Sequence, residues 1–295
     1  MKFYKMHGTG NDYIYFDGIT APIDVDLVVE NIVKMSHRNF GIGSDGVVLL
    51  LPSDNADVLM RMFNCFDGSE AENCGNALRC IGRLAYELGI VDKHHTIENI
   101  VGDIVEAEVI DDEEDSVKIK MAFPPIVSEE QEQTPSADKN FNFYRVSVGN
   151  PHAVIKVDNV KDMDLEKYGN PIENNLDLFP ERTNVEFYQP ISEDTLCMRV
   201  WERGSGETLS CGTGTCATAA AYRHSIGNKV DKVTVKTKGG NITLTWEGDD
   251  FYMTGGATLV FSGDIELKEK QSLKLISKDT VDINIAKGKE GKKTA

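Results

Sequence analysis

Short apolar segments alternate with polar turns along most of the chain, and patterns with helical spacing are few. Residues 2–16 read as a strand, the Gly-rich turn His7-Gly8-Thr9-Gly10-Asn11-Asp12, and a second strand from Tyr13 to Phe16. Residues 26–37 predict a helix with Leu27, Ile32 and Met35 toward the core. The loop Gly41-Ile42-Gly43-Ser44-Asp45-Gly46 feeds an aliphatic strand over 47–51, and another strand covers 58–64. Asp67-Gly68-Ser69-Glu70 then turns the chain into a helix over 74–88 that Gly89 stops. Alternating segments near 96–110 and 117–123 flank the acidic run 111–115, which reads as a solvated hairpin tip. Residues 124–140 read as a surface connection or domain boundary. Strands near 143–148, 152–157, 184–189 and 196–201 follow, then a second Gly-rich turn and an Ala-rich helix over 211–226. Strands near 230–237, 241–247, 251–254 and 257–261 close the pattern. The chain then turns lysine-rich, and its last ten or so residues are expected to be disordered.

The two halves resemble each other. Asp67-Gly68-Ser69-Glu70-Ala71-Glu72-Asn73-Cys74-Gly75-Asn76 precedes one helix, and Arg203-Gly204-Ser205-Gly206-Glu207-Thr208-Leu209-Ser210-Cys211-Gly212-Thr213 precedes the other. Both run Gly-Ser, then acids, then Cys-Gly, then helix. Two strand-rich halves that each place a cysteine at a helix entrance predict a pseudo-twofold arrangement with one site between them. A length of 295 residues also favours two domains over one core.

Composition narrows the function. Forty-eight acids against 31 bases give a net charge of −17, which argues against a nucleic-acid partner, since phosphate binding needs a basic footprint. The longest aliphatic run, Val47 to Leu51, is far too short to span a membrane, so no membrane partner is expected. The start has no apolar stretch of signal-peptide length, and the expected location is the cytoplasm.

Six cysteines are present: Cys65, Cys74, Cys80, Cys197, Cys211 and Cys216. Without a secretory signal, free thiols are expected rather than disulfides, and the spacings fit no paired zinc site, so no metal is expected. The default reading of a cysteine is a small buried hydrophobe. Cys74 and Cys211 depart from it, because a helix N-terminus favours a thiolate through its dipole and its free N–H groups. Those N–H groups can also hold a carboxylate. If both helix starts meet in one cleft, the two sulfurs face a substrate α-carbon from opposite sides. One thiolate then removes the α-proton and the opposite thiol returns one, which inverts the centre without a cofactor. Two buried structural cysteines, or a redox dithiol with sulfurs roughly 2 Å apart, are the other readings of this pattern.

Six blocks carry a resemblance to a known family. They are Lys5-Met6-His7-Gly8-Thr9-Gly10-Asn11-Asp12, Gly41 to Gly46, Asp67 to Asn76, Gly149-Asn150-Pro151-His152, Glu181-Arg182-Thr183-Asn184, and Trp201 through Gly214. In this order they resemble the diaminopimelate epimerases, over residues 1 to about 261. The resemblance implies an α/β (α+β) fold of two pseudo-symmetric lobes, each a curved mixed sheet around a central helix. On this reading residues 1–115 with a final strand near 257–265 form one lobe, 116–256 the other, and 266–295 a partly disordered tail. It implies a cofactor-independent isomerase, a homodimer, that interconverts LL- and meso-2,6-diaminopimelate for lysine and peptidoglycan precursor synthesis. Cys74 and Cys211 become the acid–base pair.

The same resemblance implies substrate contacts from Asn11, Asn64, Asn150, Asn184, Glu202 and Arg203. The reacting carboxylate belongs on the backbone N–H groups of Gly75-Asn76 and Gly212-Thr213. Arg203 suits the distal carboxylate, because a guanidinium holds one bidentately. His152 and Glu202 fall on positions that tune the cysteines. Two departures stand out: Gly46 replaces a common Gln, and Asn64-Cys65-Phe66-Asp67-Gly68 holds one residue more than the usual Asn-x-Asp-Gly. Cys65 is read as a packing residue and His7 as a turn residue. The alternatives are a proline racemase-like enzyme, whose first cysteine is usually followed by Gly-His, and a non-enzymatic two-lobed binding protein.

Overall fold

The computed structural model describes residues 1–71, 74–111, 115–122 and 124–269. The centre of the acidic run and most of the lysine-rich tail therefore lie outside the described residues. Within the first half the order is β1 (Lys2–Gly8), β2 (Asn11–Asp17), α1 (Val25–Ser36), β3 (Gly46–Leu51), β4 (Val58–Asn64), β5 (Glu70–Ala71), α2 (Gly75–Glu87), β6 (His94–Glu98), β7 (Ile104–Val109) and β8 (Ser116–Met121). After β9 (Ile126–Val127) and β10 (Glu132–Ser136) come β11 (Lys139–Ser147), β12 (Pro151–Lys156), α3 (Leu165–Glu173), β13 (Asn184–Pro190), β14 (Thr195–Glu202) and β15 (Gly206–Thr208). The chain ends in α4 (Gly212–Ser225), β16 (Lys232–Thr237), β17 (Gly240–Glu247), β18 (Asp250–Gly256) and β19 (Thr258–Asp264).

Strand pairing reproduces the repeat seen in the sequence. β1 and β2 are antiparallel, β2 and β3 parallel with a helix between, and β3 and β4 antiparallel. β4 and β6 are parallel across α2, and β6, β7 and β8 form a meander. β11 to β18 repeat this pattern step for step, with β12–β13 and β14–β16 as the parallel pairs. Parallel neighbours need a crossover, and the four helices supply it. The pairing is continuous: β8 bonds along its whole length to β18, but to β7 only from Val117 to Ile119. β19 returns to pair with β1.

α2 and α4 are the central helices. Leu78, Cys80, Ile81, Leu84 and Ala85 of α2 and Cys216, Ala217, Ala219 and Ala221 of α4 lie in one buried cluster with inward residues of both sets of strands. α1 and α3 cover outer faces with smaller clusters of their own.

Two regions differ from expectation. Residues 124–140 are not a plain connection, since they hold β9 and the β10–β11 hairpin. Thr134 and Ser136 are the buried positions of β10, and Ser136 Oγ donates to the Tyr168 carbonyl (2.7 Å), so the strand lacks an apolar stripe. α3 carries Gly169, Asn170 and Pro171 within nine residues, and Asp164 caps it by accepting from the Lys167 amide (3.0 Å). Poor helix formers hide it from a propensity reading.

Candidate active site

Cys74 and Cys211 are the N-cap residues of α2 and α4, each in an extended backbone conformation. The two entrances converge on Met253 of β18. A Cβ built on Gly75 would lie 3.3 Å from Met253 Cε, and one built on Gly212 would lie 3.6 Å from it and 3.7 Å from Asn76 Oδ1. Glycine at both positions lets the two first turns share this floor. The β1–β2 turn bridges them. The Thr9 hydroxyl lies 3.4 Å from Asn76 Oδ1 and 3.3 Å from Ser210 Oγ, beside Cys211. A Cβ at Gly239 would come 1.8 Å from the Thr9 carbonyl, so only glycine admits this turn.

Cys74 is partly exposed and makes no capping hydrogen bond. Its thiol donates to Asn11 Oδ1 (3.5 Å), which also accepts from Asn76 Nδ2 (3.3 Å). Tyr13 Oη donates to the sulfur at 3.9 Å. Burial pushes the Cys74 thiol above its ordinary range, while the amides of Ala77 and Asn76, Tyr13 and the Arg79 guanidinium pull it down. Cys211 is 8% exposed, accepts from the Gly214 amide (3.3 Å), and lies 3.4 Å from Thr213 Oγ1. Its thiol is pushed well above the ordinary range by burial first, then by Glu202 and Glu186.

A chain of polar groups leads from Cys211 into the interior. Thr213 Oγ1 accepts from Asn150 Nδ2 (3.4 Å), Asn150 Oδ1 meets His152 Nε2 (3.0 Å), and His152 Nδ1 meets Glu186 Oε1 (2.7 Å). His152 and Glu186 are both fully buried. Thr208 donates to Glu202, whose carboxyl is raised by burial.

The other expected residues fall around this centre. Asn184 accepts from the Arg203 amide (3.0 Å) through Oδ1. The Arg203 guanidinium stays exposed and donates to the Glu181 carbonyl (2.9 Å). Asn64 remains at the end of β4, opposite Gly46, with its amide on Ser69 Oγ (3.0 Å). The extra residue is absorbed in the following turn, which leaves Phe66 88% exposed. Asn11 Nδ2 donates to Asp45 (2.7 Å), which Arg38 also holds. Cys80 and Cys216 are fully buried, and burial raises both to about 12.

Sequence reasoning missed Arg79, Glu186, Tyr13, Thr9 and Met253. Glu186 had a signal: a carboxylate between Val185 and Phe187, in an otherwise apolar stretch, needs a buried partner.

The strand repeat with its central helices is a fold shared with several solved structures. A PhzF-family phenazine biosynthesis protein of Bacillus anthracis superposes with a TM-score of 0.69 at 16% identity, covering 90% of this chain and 99% of that one. A hydroxyproline epimerase of Agrobacterium vitis gives 0.60 at 16% identity, covering 90% of each chain. Sequence is more specific: the profile of the diaminopimelate epimerase family matches residues 3–126 and 144–260. A diaminopimelate epimerase of Methanococcus maripaludis is 47% identical over 90% of this chain and all of its own length. One of Brachyspira hyodysenteriae is 43% identical over 90% of this chain and 99% of its own. The chain belongs to the diaminopimelate epimerase family, whose members are isomerases.

Proposed function

We propose that the protein interconverts LL- and meso-2,6-diaminopimelate by proton transfer between Cys74 and Cys211, without a cofactor. The observation that carries this reading is the meeting of two cysteine-led helix entrances on the shared Met253 floor. The reacting carboxylate sits on the first-turn N–H groups of Gly75-Asn76 and Gly212-Thr213, at the positive ends of both dipoles. One thiolate takes the α-hydrogen as a proton and leaves the electron pair on the α-carbon, delocalised into that carboxylate. The opposite thiol then protonates the other face. Each turnover exchanges which sulfur is charged, so the reverse reaction uses the same pair with roles reversed. The N–H groups stabilise the developing charge, and exclusion of water by the bound substrate strengthens that stabilisation.

Arg203 holds the distal carboxylate, and Asn184, Asn150, Asn11, Asn64 and Glu202 complete the substrate contacts, with oxygen acceptors for the ammonium. His152 and Glu202 tune Cys211. The lobes divide as 1–115 with β19, and 116–256, and the longer pairing of β8 with β18 than with β7 supports that division. A homodimer is carried by the outer edge of β19, where Leu259, Val260 and Phe261 are each about half exposed. Among the described residues no helix is long and apolar enough to cross a membrane, and the proposed location is the cytoplasm.

Incubating LL-diaminopimelate with the enzyme in deuterated water tests the reading. Deuterium is expected at the α-carbon together with formation of the meso isomer. Absence of both removes the proposed activity.

A further inference from the structure

The guanidinium of Arg79 is completely buried, yet no carboxylate among the described residues pairs with it. Its partners are neutral: Asn76 Oδ1 (2.8 Å), Thr9 Oγ1 (3.3 Å), the Gly75 carbonyl (3.4 Å) and Met253 Sδ (2.9 Å). Nε has no partner. A long helical side chain points back toward its helix N-terminus, which brings this charge from the second turn of α2 to the level of Gly75 and Asn76. There it faces the positive end of the helix dipole, the worst place on α2 for a cation. Burial alone makes such a charge costly unless it is paired. A buried, unpaired cation at a helix start is therefore an incomplete pair.

The missing partner is an anion that the resting structure does not carry. The titratable groups facing the guanidinium are Cys74 and Cys80 on α2, Cys216 on α4 and Tyr15 on β2. Cys80 and Cys216 are sealed in the core, and burial holds Tyr15 well above the ordinary phenol range. Cys74 alone among them is partly exposed, and it leads into the turn that Arg79 grips. Tyr13 from β2, with its phenol also raised by burial, is the remaining titratable group at that sulfur.

We propose that Arg79 is a positioning residue, the fixed counter-charge of the ionised Cys74. Its fork also orients Asn76, whose Nδ2 donates to Asn11 Oδ1, the acceptor of the Cys74 thiol. The charge acts from behind the first turn and does not need to touch substrate. This rests on the two-cysteine reading for its consequence in turnover, but not for its consequence at the thiol.

The test reads the thiol directly. The alkylation rate of Cys74 by iodoacetamide, followed by peptide mass across pH 6–10, is compared in wild type, Arg79→Met and Arg79→Lys. Arg79→Met should fold, because an apolar side chain of similar length replaces an unpaired buried charge. Its Cys74 alkylation should shift to higher pH, with a rate near neutrality lower by about tenfold or more, one decade for each unit of thiol pKa. Cys211 alkylation should not move. Turnover of diaminopimelate should show a fall in kcat of similar size with KM little changed, and Arg79→Lys should restore the alkylation profile but only part of kcat. A folded Arg79→Met with the wild-type Cys74 profile overturns the proposal. If Arg79→Met does not fold, Arg79→Lys decides: full wild-type kcat overturns the role of the fork, and a shifted Cys74 profile overturns that of the charge. Should wild type fail to turn over diaminopimelate, the functional reading falls while the alkylation comparison still decides the role of Arg79.

Discussion

The two helix entrances are the same backbone motif in opposite electrostatic settings. α2 and α4 occupy equivalent places in the strand repeat, and each is led by an extended cysteine followed by glycine. Behind Cys74 lies the buried Arg79 cation, with the amides of Asn11 and Asn76 around the sulfur. Behind Cys211 lie the buried carboxyl group of Glu186 and the half-buried one of Glu202, and the sulfur is occupied in capping its own helix. Both thiols are raised by burial, but the carboxylates push Cys211 further while the guanidinium pulls Cys74 down. A two-base inversion needs one thiolate and one thiol at a time. In the proposed mechanism the symmetry of the fold supplies two equivalent proton carriers whose roles exchange with reaction direction, and the asymmetry of charge favours the thiolate at Cys74 in the free enzyme.

The largest expected effect breaks the pair itself. Cys74→Ala and Cys211→Ala should each reduce epimerisation by at least about a thousandfold while the protein stays folded, because each face needs its own carrier. Circular dichroism alongside turnover checks this, and near-full activity in either variant would remove the mechanism. Cys80→Ala and Cys216→Ala should retain activity, since both are core thiols.

A second contrast lies across the substrate. The proposed reacting end meets both entrances, whereas Arg203, proposed for the distal carboxylate, comes from the second half alone, where its amide donates to Asn184. Arg203→Lys should raise KM strongly, a point charge being a poor replacement for a planar fork. Lysine, which lacks the distal carboxylate, should have a kcat/KM lower by about ten- to a hundredfold, equivalent to ~1.5–3 kcal/mol for a lost hydrogen bond between charged groups. Steady-state comparison of the two substrates decides it, and equal turnover would point to a broad amino-acid racemase.

The charge asymmetry should also be visible without substrate. Iodoacetamide should modify Cys74 several-fold faster than Cys211 at pH 8, since only the thiolate reacts. Glu186→Gln should narrow that gap by speeding Cys211, by roughly three- to tenfold, as a nearby negative charge is removed. Peptide mass after brief exposure measures both rates, and faster labelling of Cys211 in wild type would reverse the assignment of base and acid.

What could be seen in the sequence follows from what has a local signal. The two Cys-Gly helix entrances, the central helices and most strands announce themselves through glycine turns and apolar periodicity. Asn11, Asn150, His152, Asn184 and Arg203 lay in recognisable blocks. β10 buries Thr134 and Ser136 in place of aliphatics, and α3 is built on Gly169 and Pro171, so neither carries the usual pattern. Arg79 carries no local signal, because its burial depends on α2, β18 and the β1–β2 turn meeting in space. The long-range contacts that set each sulfur's electrostatics are invisible to any local window.

The smallest predicted effect tests the same contrast beneath the helices. Val58–Ile97 and Leu196–Val235 are equivalent pairs in the two halves, so His95 of β6 stands where Val233 of β16 stands. His95 is 5% exposed, its Nδ1 bonds the Asp92 carbonyl (3.0 Å), and its Nε2 has no partner. A Cβ on Gly82 would lie 2.9 Å from that nitrogen, so α2 admits the ring only by carrying glycine there. Burial lowers the His95 pKa below its ordinary value of 6.5, which keeps the ring neutral in the folded state. The unfolded chain then binds the proton more readily than the folded one. The stability from this site is therefore complete above about pH 6.5 and declines as pH falls toward the lower folded value. His95→Val, which copies the second half, should remove that contribution to acid sensitivity. Urea unfolding at pH 8 and pH 5 should show the wild type losing more stability than the variant, by at most ~2 kcal/mol, the free energy of protonating an unfolded ring of pKa 6.5 at pH 5. Equal losses in the two proteins would mean that the ring is protonated without penalty, and that the halves are alike at this position despite the difference in residue.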